Sequence, residues 1–185
     1  ILYALALCLH YIDDKKLAEP ILDKLLEKVS LEKYYYDEQI LFEELIDLYY
    51  LCEEYDRCVL VFEKEIEELD WEEHFYYNMR FSFYFYSLKK LGSFKKAESK
   101  LSDLIQKHNK YIEKIKIGEI YDKKYWNEEE IDEFIEEEKN EIKKVLEIYK
   151  KIMNSNYKPQ NKRINLEKMY KTCYLVDCPR HQKLD

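Results

Sequence analysis

The sequence predicts an all-α protein, and two compositional facts and one pattern carry that expectation. Among 185 residues only 2 are Gly and 3 are Pro, too few turn-makers for a sandwich or a barrel, whereas Glu, Lys, Leu and Ile are plentiful and suit helices. Apolar residues make up 46% of the chain and aromatic residues 16%, which supports a sizeable core and excludes a disordered reading. Finally, apolar residues recur at i, i+3, i+4 and i+7 along most of the chain, the spacing that gathers them on one face of a helix.

Each element follows from that spacing. Ile1 to Tyr11 is apolar nearly all round and predicts a buried helix. The chain opens without Met in what reads as mid-helix, so a fragment lacking something upstream is expected. Asp13 and Asp14 break this helix and can cap the next, Lys15 to Val29, whose stripe is Leu17, Ala18, Ile21, Leu22, Leu25 and Leu26. Pro20 deletes a backbone hydrogen bond there, so that helix is expected to kink or to start later. Tyr35 to Cys52 carries Ile40, Leu41, Leu45, Leu48, Tyr49 and Cys52, and Asp56 to Leu69 carries Cys58, Phe62, Ile66 and Leu69.

Phe75 to Leu104 reads as a helical hairpin around the joint Leu91-Gly92-Ser93-Phe94. Its first arm presents Phe81, Tyr84, Phe85 and Leu88, and its second presents Phe94, Ala97, Leu101 and Leu104. Gly92 supplies the left-handed conformation that ends a helix, Ser93 is expected to cap the next, and Phe94 to plug the wedge between the arms. Glu53-Glu54-Tyr55 stands where Gly92-Ser93-Phe94 stands in this hairpin. A small residue opens each second helix, Ala18, Cys58 and Ala97, at intervals of 58 − 18 = 40 and 97 − 58 = 39 residues. A helix pair recurring at that period predicts a stacked solenoid, each pair burying its face against the next.

Beyond the third pair the pattern loosens. Lys110 to Trp126 predicts an extension of the preceding helix, a break at Gly118 and a short helix in place of a fourth first arm. Asn127 with Glu130 has capping-box spacing, and a stripe from Ile131 and Phe134 through Val145 and Tyr149 to Ile152 predicts one long helix ending near Asn154. Its length and charged outer face suggest a terminal cap or a homodimer contact. Ile164 to Cys173 can make one more short helix. The expected organisation is residues 1–126 as helical repeats, 127–172 as capping helices of the same domain and 173–185 as a tail.

Charge and chemistry narrow the function classes. A net charge of −8 argues against direct nucleic-acid contact by this segment, which would need clustered Lys and Arg. Five cysteines, an odd number without a disulfide-like framework, fit a reducing cytoplasm. The longest apolar run, Ile1 to Leu9, is short of the roughly 20 residues of a membrane span. Cys173, Cys178 and His181 are zinc-type ligands, but their spacing is irregular and a fourth is missing, so no metal is expected. His10 and His74 sit among aromatics and read as ordinary core or surface histidines. No nucleophile has a visible partner, so neither an enzyme nor a cofactor is expected.

The third pair, with Phe81, Tyr84, Phe85 and Leu88, then Gly92 and Phe94, then Ala97 and Leu101, resembles a tetratricopeptide repeat. Phe42, Leu45, Ile46, Tyr49, Tyr55, Cys58 and Phe62 form a second match, and Leu2, Leu5, Ala6, Leu9, Ala18 and Leu22 a looser first one. Phe85 and Ile46 fill a position that is small in the family, and the period exceeds its usual roughly 34 residues. HEAT-like repeats are the rival but lack the Gly-x-aromatic turn.

The resemblance implies a concave groove lined by first helices, which takes a peptide or protein ligand. Counting from the match puts Glu43, Asp47, Tyr50, Ser82, Tyr86 and Lys89 on that wall, with Tyr3 and His10 in the first unit. A ligand with basic and apolar residues would suit those acids and tyrosines. Long aromatic-rich repeats followed by a long helix also resemble the repeat domains of Gram-positive peptide-pheromone receptors and related helix-turn-helix regulators. That likeness implies a ligand-sensing regulatory domain with a DNA-binding part upstream. A passive protein-docking scaffold is the alternative.

Overall fold

The structure, a computed structural model, describes residues 15–31, 38–68, 79–119 and 126–161. Among these, six helices and no strand are present: α1 (Lys15–Leu31), α2 (Glu38–Leu51), α3 (Tyr55–Glu68), α4 (Met79–Lys90), α5 (Phe94–Ile117) and α6 (Glu128–Asn154). The described part is therefore all-helical, consistent with an all-α class. Two compact units divide the chain, Ile1–Val61 with Gln160–Asp185 in one and Phe62–Pro159 in the other, so the boundary falls inside α3.

In the first unit, α1 runs through Pro20 without starting late. Proline there falls in the second turn, where it forgoes the bond its N–H would have given Lys16. Ala18 and Leu22 are buried while Leu17, expected on the same stripe, is exposed, so the inward face is narrower than the periodicity suggested. Two polar contacts tie α1 to its successors. Tyr49 Oη donates to Leu22 O at 2.8 Å, and Arg57 reaches Asp23 at 2.5 Å and Glu54 at 2.8 Å. Burial alone would lower the proton affinity of Arg57, and these acids more than offset it.

The joints of the two hairpins match residue for residue at an interval of 39. At the first, Cys52 N donates to Leu48 O, Glu53 N to Tyr50 O and Glu54 N to Tyr49 O. At the second, Leu91 N donates to Ser87 O, Gly92 N to Lys89 O and Ser93 N to Leu88 O. Glu53 and Gly92 hold the same left-handed backbone, at φ 59° and 68°. Each following helix then opens on an equivalent bond, Cys58 N to Glu54 O and Ala97 N to Ser93 O. Cys58 and Ala97 are fully buried, and Cys58 Sγ lies 3.8 Å from Ile46 O of the preceding helix.

Two expectations for the second joint fail. Ser93 sits at φ −87°, ψ 49° and makes no side-chain cap, because its backbone is not in the extended region from which a hydroxyl reaches the first-turn amides. Phe94 plugs no wedge: it is 52% exposed.

In the second unit, the end of α3 packs through Phe62, whose ring stacks on Tyr84 at 4.4 Å and meets Phe81 edge-on at 5.2 Å. Such pairs add about 0.5–1.5 kcal/mol each beyond the burial of their area. Helices α4, α5 and α6 pack mutually. The joint makes α4 and α5 antiparallel. Phe85 meets Tyr149 and Lys89 meets Ile152, so α6 runs parallel to α4. His108 meets Glu138 and Ile115 clusters with Ile135, so α6 is antiparallel to α5.

Helix α5 continues unbroken to Ile117, where Gly118, at φ 79°, ends it by donating to Ile115 O. The expected extension and break are thus present; the short helix expected around 119–126 falls mostly outside the described residues. It is α6 that lies against both α4 and α5. At 27 residues it spans about 40 Å, against about 18 Å for α4 and 36 Å for α5, so its second half covers α4 and its first half the overhang of α5. Its start is the predicted capping box: Glu130 N donates to Asn127 Oδ1 and Asn127 N to Glu130 Oε2, both at 2.9 Å.

Candidate functional site

The residues expected on a concave wall divide between the units, Glu43, Asp47 and Tyr50 in the first and Ser82, Tyr86 and Lys89 in the second. The side chain of Glu43 lies outside the described residues. Asp47, Tyr50, Ser82 and Tyr86 are all buried. Lys89 is half-buried and its ammonium donates to Ile152 O and Ser155 O at 2.7 Å each, holding the last carbonyls of α6. Lys90 reaches over the Tyr86 ring, 5.6 Å from its centre.

This burial has a plain cause. Every residue from Arg80 to Leu88 is buried, and so is every residue from Leu45 to Tyr50. The second half of α2 and the 80–88 stretch of α4 are therefore covered on all sides, polar residues such as Asp47, Ser82 and Ser87 included. Counting from the resemblance set Ser82 and Tyr86 on an open wall; α4 is instead central to its unit, packed against α5, α6 and the end of α3.

A first polar cluster lies where α3 meets α4. Tyr84 Oη donates to Glu63 Oε1 at 2.9 Å, and Lys96 Nζ holds the other carboxylate oxygen at 2.9 Å. Burial, with the Glu63 charge added, raises the Tyr84 phenol well above its ordinary value, so it stays a donor. Beside it opens a cleft of about 230 Å³ lined by Lys100, Asp103, Leu104 and Lys107. Cys52, buried in the first unit, has its thiol pushed up to about 12 by burial and then by Glu54, which makes it inert rather than nucleophilic.

The second cluster joins α5 to α6. His108 and Glu138 are both buried. The imidazole Nε2 lies 2.9 Å from Glu138 O, and because a carbonyl only accepts, Nε2 carries the hydrogen. Its Nδ1 faces Glu138 Oε2 at 3.6 Å, and that oxygen has no hydrogen-bond partner. Burial, reinforced by Glu141 and Glu137, raises the Glu138 carboxyl to about 7, whereas burial lowers the His108 imidazole. Neither residue was singled out from the sequence. The readable signal is a polar residue on an otherwise apolar stripe: His108 between Leu104 and Tyr111, Glu138 between Ile135 and Val145.

Compared with protein-family models, curated proteins and solved structures, the chain matches none. What it can do rests on its own geometry. Among the described residues no group of three or more His, Cys, Asp and Glu side chains could hold a metal ion, and no helix is long and apolar enough to cross a membrane. Cys173, Cys178 and His181 lie outside the described residues.

Proposed function

We propose that this chain is a peptide- or protein-binding helical-repeat domain, serving as the ligand-sensing part of a transcriptional regulator. The observation that supports the repeat reading is the match of the two hairpin joints at an interval of 39, in hydrogen bonds and in left-handed backbone. Two chemically different sequences, Glu53-Glu54 and Gly92-Ser93, adopt one turn, which is what a repeated structural unit requires. The regulatory role and the tetratricopeptide-like arrangement come from the resemblance in sequence.

The test is fluorescence anisotropy of the full chain against labelled peptides, one set basic and apolar, one acidic. Saturable binding of the basic set, weakened by salt and by Glu43→Lys, is expected. Saturation by neither set up to millimolar peptide overturns the reading. Asp47→Lys is unsuited to this assay because it buries an ammonium and would report on folding.

A second reading, a passive docking scaffold, is favoured by the exposed Leu91 and Phe94 at the joint. It would show as capture of a folded protein, lost with Phe94→Ala and indifferent to Glu43→Lys.

A further inference from the structure

We propose that His108 and Glu138 form a one-proton latch between α5 and α6, which holds these helices together while the pair keeps a single proton and loosens them when that proton passes to solvent. The reasoning starts from the arrangement of atoms. Nε2 must be protonated to serve Glu138 O, which leaves Nδ1 and Oε2 face to face at 3.6 Å in a buried space. With one proton between those two atoms the pair is either an acid beside a neutral imidazole or an ion pair, and in both cases its net charge is zero. With none, a bare carboxylate faces a nitrogen lone pair in a buried contact. With two, the pair carries a net positive charge. Burial disfavours both charged forms.

Neighbouring acids act in the same direction on the alkaline side. On α6, Glu137 and Glu141 both resist ionisation of Glu138, although Lys144 holds Glu141 Oε1 at 2.5 Å. On α5, Lys107 adjoins His108, Tyr111 is buried one turn on, and Lys114 lies two turns away. On α4, the pairing of Phe85 with Tyr149 gives an offset of 149 − 85 = 64, which places Glu138 opposite a point ahead of Met79; the nearest charged residue of that helix is Arg80.

The sign follows from counting protons. Free in an unfolded chain, glutamate titrates near 4.3 and histidine near 6.5, so between those values an unfolded pair also holds one proton and stability does not change with pH. Above about 6.5 the unfolded pair has lost its last proton, whereas the folded pair keeps it until about 7, so stability falls as pH rises through that interval. Below about 4.3 the unfolded pair gains a second proton that the buried imidazole resists, so stability falls again as pH drops. The latch is therefore tightest in mildly acid solution.

Two measurements on the full chain decide it. Amide hydrogen exchange in α5 and α6 around His108 and Glu138, corrected for intrinsic rates, should lose protection between pH 6 and pH 8, as the folded pair gives up the proton that burial made it keep. Glu138→Gln, which keeps shape but cannot ionise, should remove that loss. The same loss in Glu138→Gln overturns the latch. Should that variant fail to fold, ¹⁵N spectra of the wild-type histidines decide alone. His108 should stay a neutral Nε2–H imidazole from pH 5 to pH 8, the shared proton sitting on the Glu138 carboxyl. Titration there, as for free imidazole, overturns the proposal.

Discussion

Exchanging the residue types at the two left-handed positions should move stability in opposite directions. An L-residue in left-handed backbone costs about 1–2 kcal/mol through the approach of its Cβ to the following carbonyl. A Cβ added at Gly92 would meet nothing within 4 Å, so Gly92→Ala incurs that local term and no clash with the surroundings. Alanine recovers about 0.4–1 kcal/mol by restricting the unfolded chain, which leaves a net loss of about 1 kcal/mol. Glu53→Gly runs the same cycle backwards at φ 59° and should gain about as much, less whatever its side chain contributes to the fold. For a chain of this size about 1 kcal/mol corresponds to a Tm change of roughly 2–4 °C. Thermal and urea melts followed by far-ultraviolet circular dichroism read both variants, and the double variant should return near the wild type, the two local terms adding with opposite signs. A neutral Gly92→Ala, or a Glu53→Gly that destabilises by a full kcal/mol, would refute the shared left-handed geometry.

Two further outcomes test the packing. Ala97→Leu should overpack the crossing where Ala97 is fully buried and cost about 1–3 kcal/mol, read as a lower urea midpoint at unchanged slope. Lys89→Met keeps the aliphatic stem but removes both donations to the end of α6, which should cost about 1.5–3 kcal/mol and raise amide exchange locally in the last turn of that helix, whereas unchanged exchange there would show the contact to be idle.

The sequence disclosed the helices and the correspondence of the two joints because both are written in spacing. The 39-residue correspondence between Cys58 and Ala97 is visible in residue sizes, and the Asn127 to Glu130 box in residue types. What escaped depends on neighbours. Whether Tyr86 faces water or protein is set by how many helices surround α4, and the same stripe of letters serves a helix covered on one side or on all. Phe94 at a turn reads as a plug or as an exposed ring according to how close the arms come. His108 and Glu138 lie 30 residues apart in the sequence. Each alone looks like a polar residue at the edge of a stripe, and only the antiparallel packing of α5 on α6 makes them a pair.

Because α6 runs parallel to α4, the two helices end side by side with their last carbonyls pointing the same way. A helix C-terminus carries about half a negative charge, so this end of the unit concentrates close to one full negative charge that no acidic side chain contributes. The lysines answer it: Lys89 and Lys90 close α4, Lys151 closes α6, and Lys89 spans the gap to hold both Ile152 O and Ser155 O. A formal net charge of −8 thus hides an end where three side-chain cations outweigh the backbone dipoles they face. Charge reversal at these lysines would be felt twice, once as a lost cation and again as a carboxylate set against the aligned carbonyls of two helices.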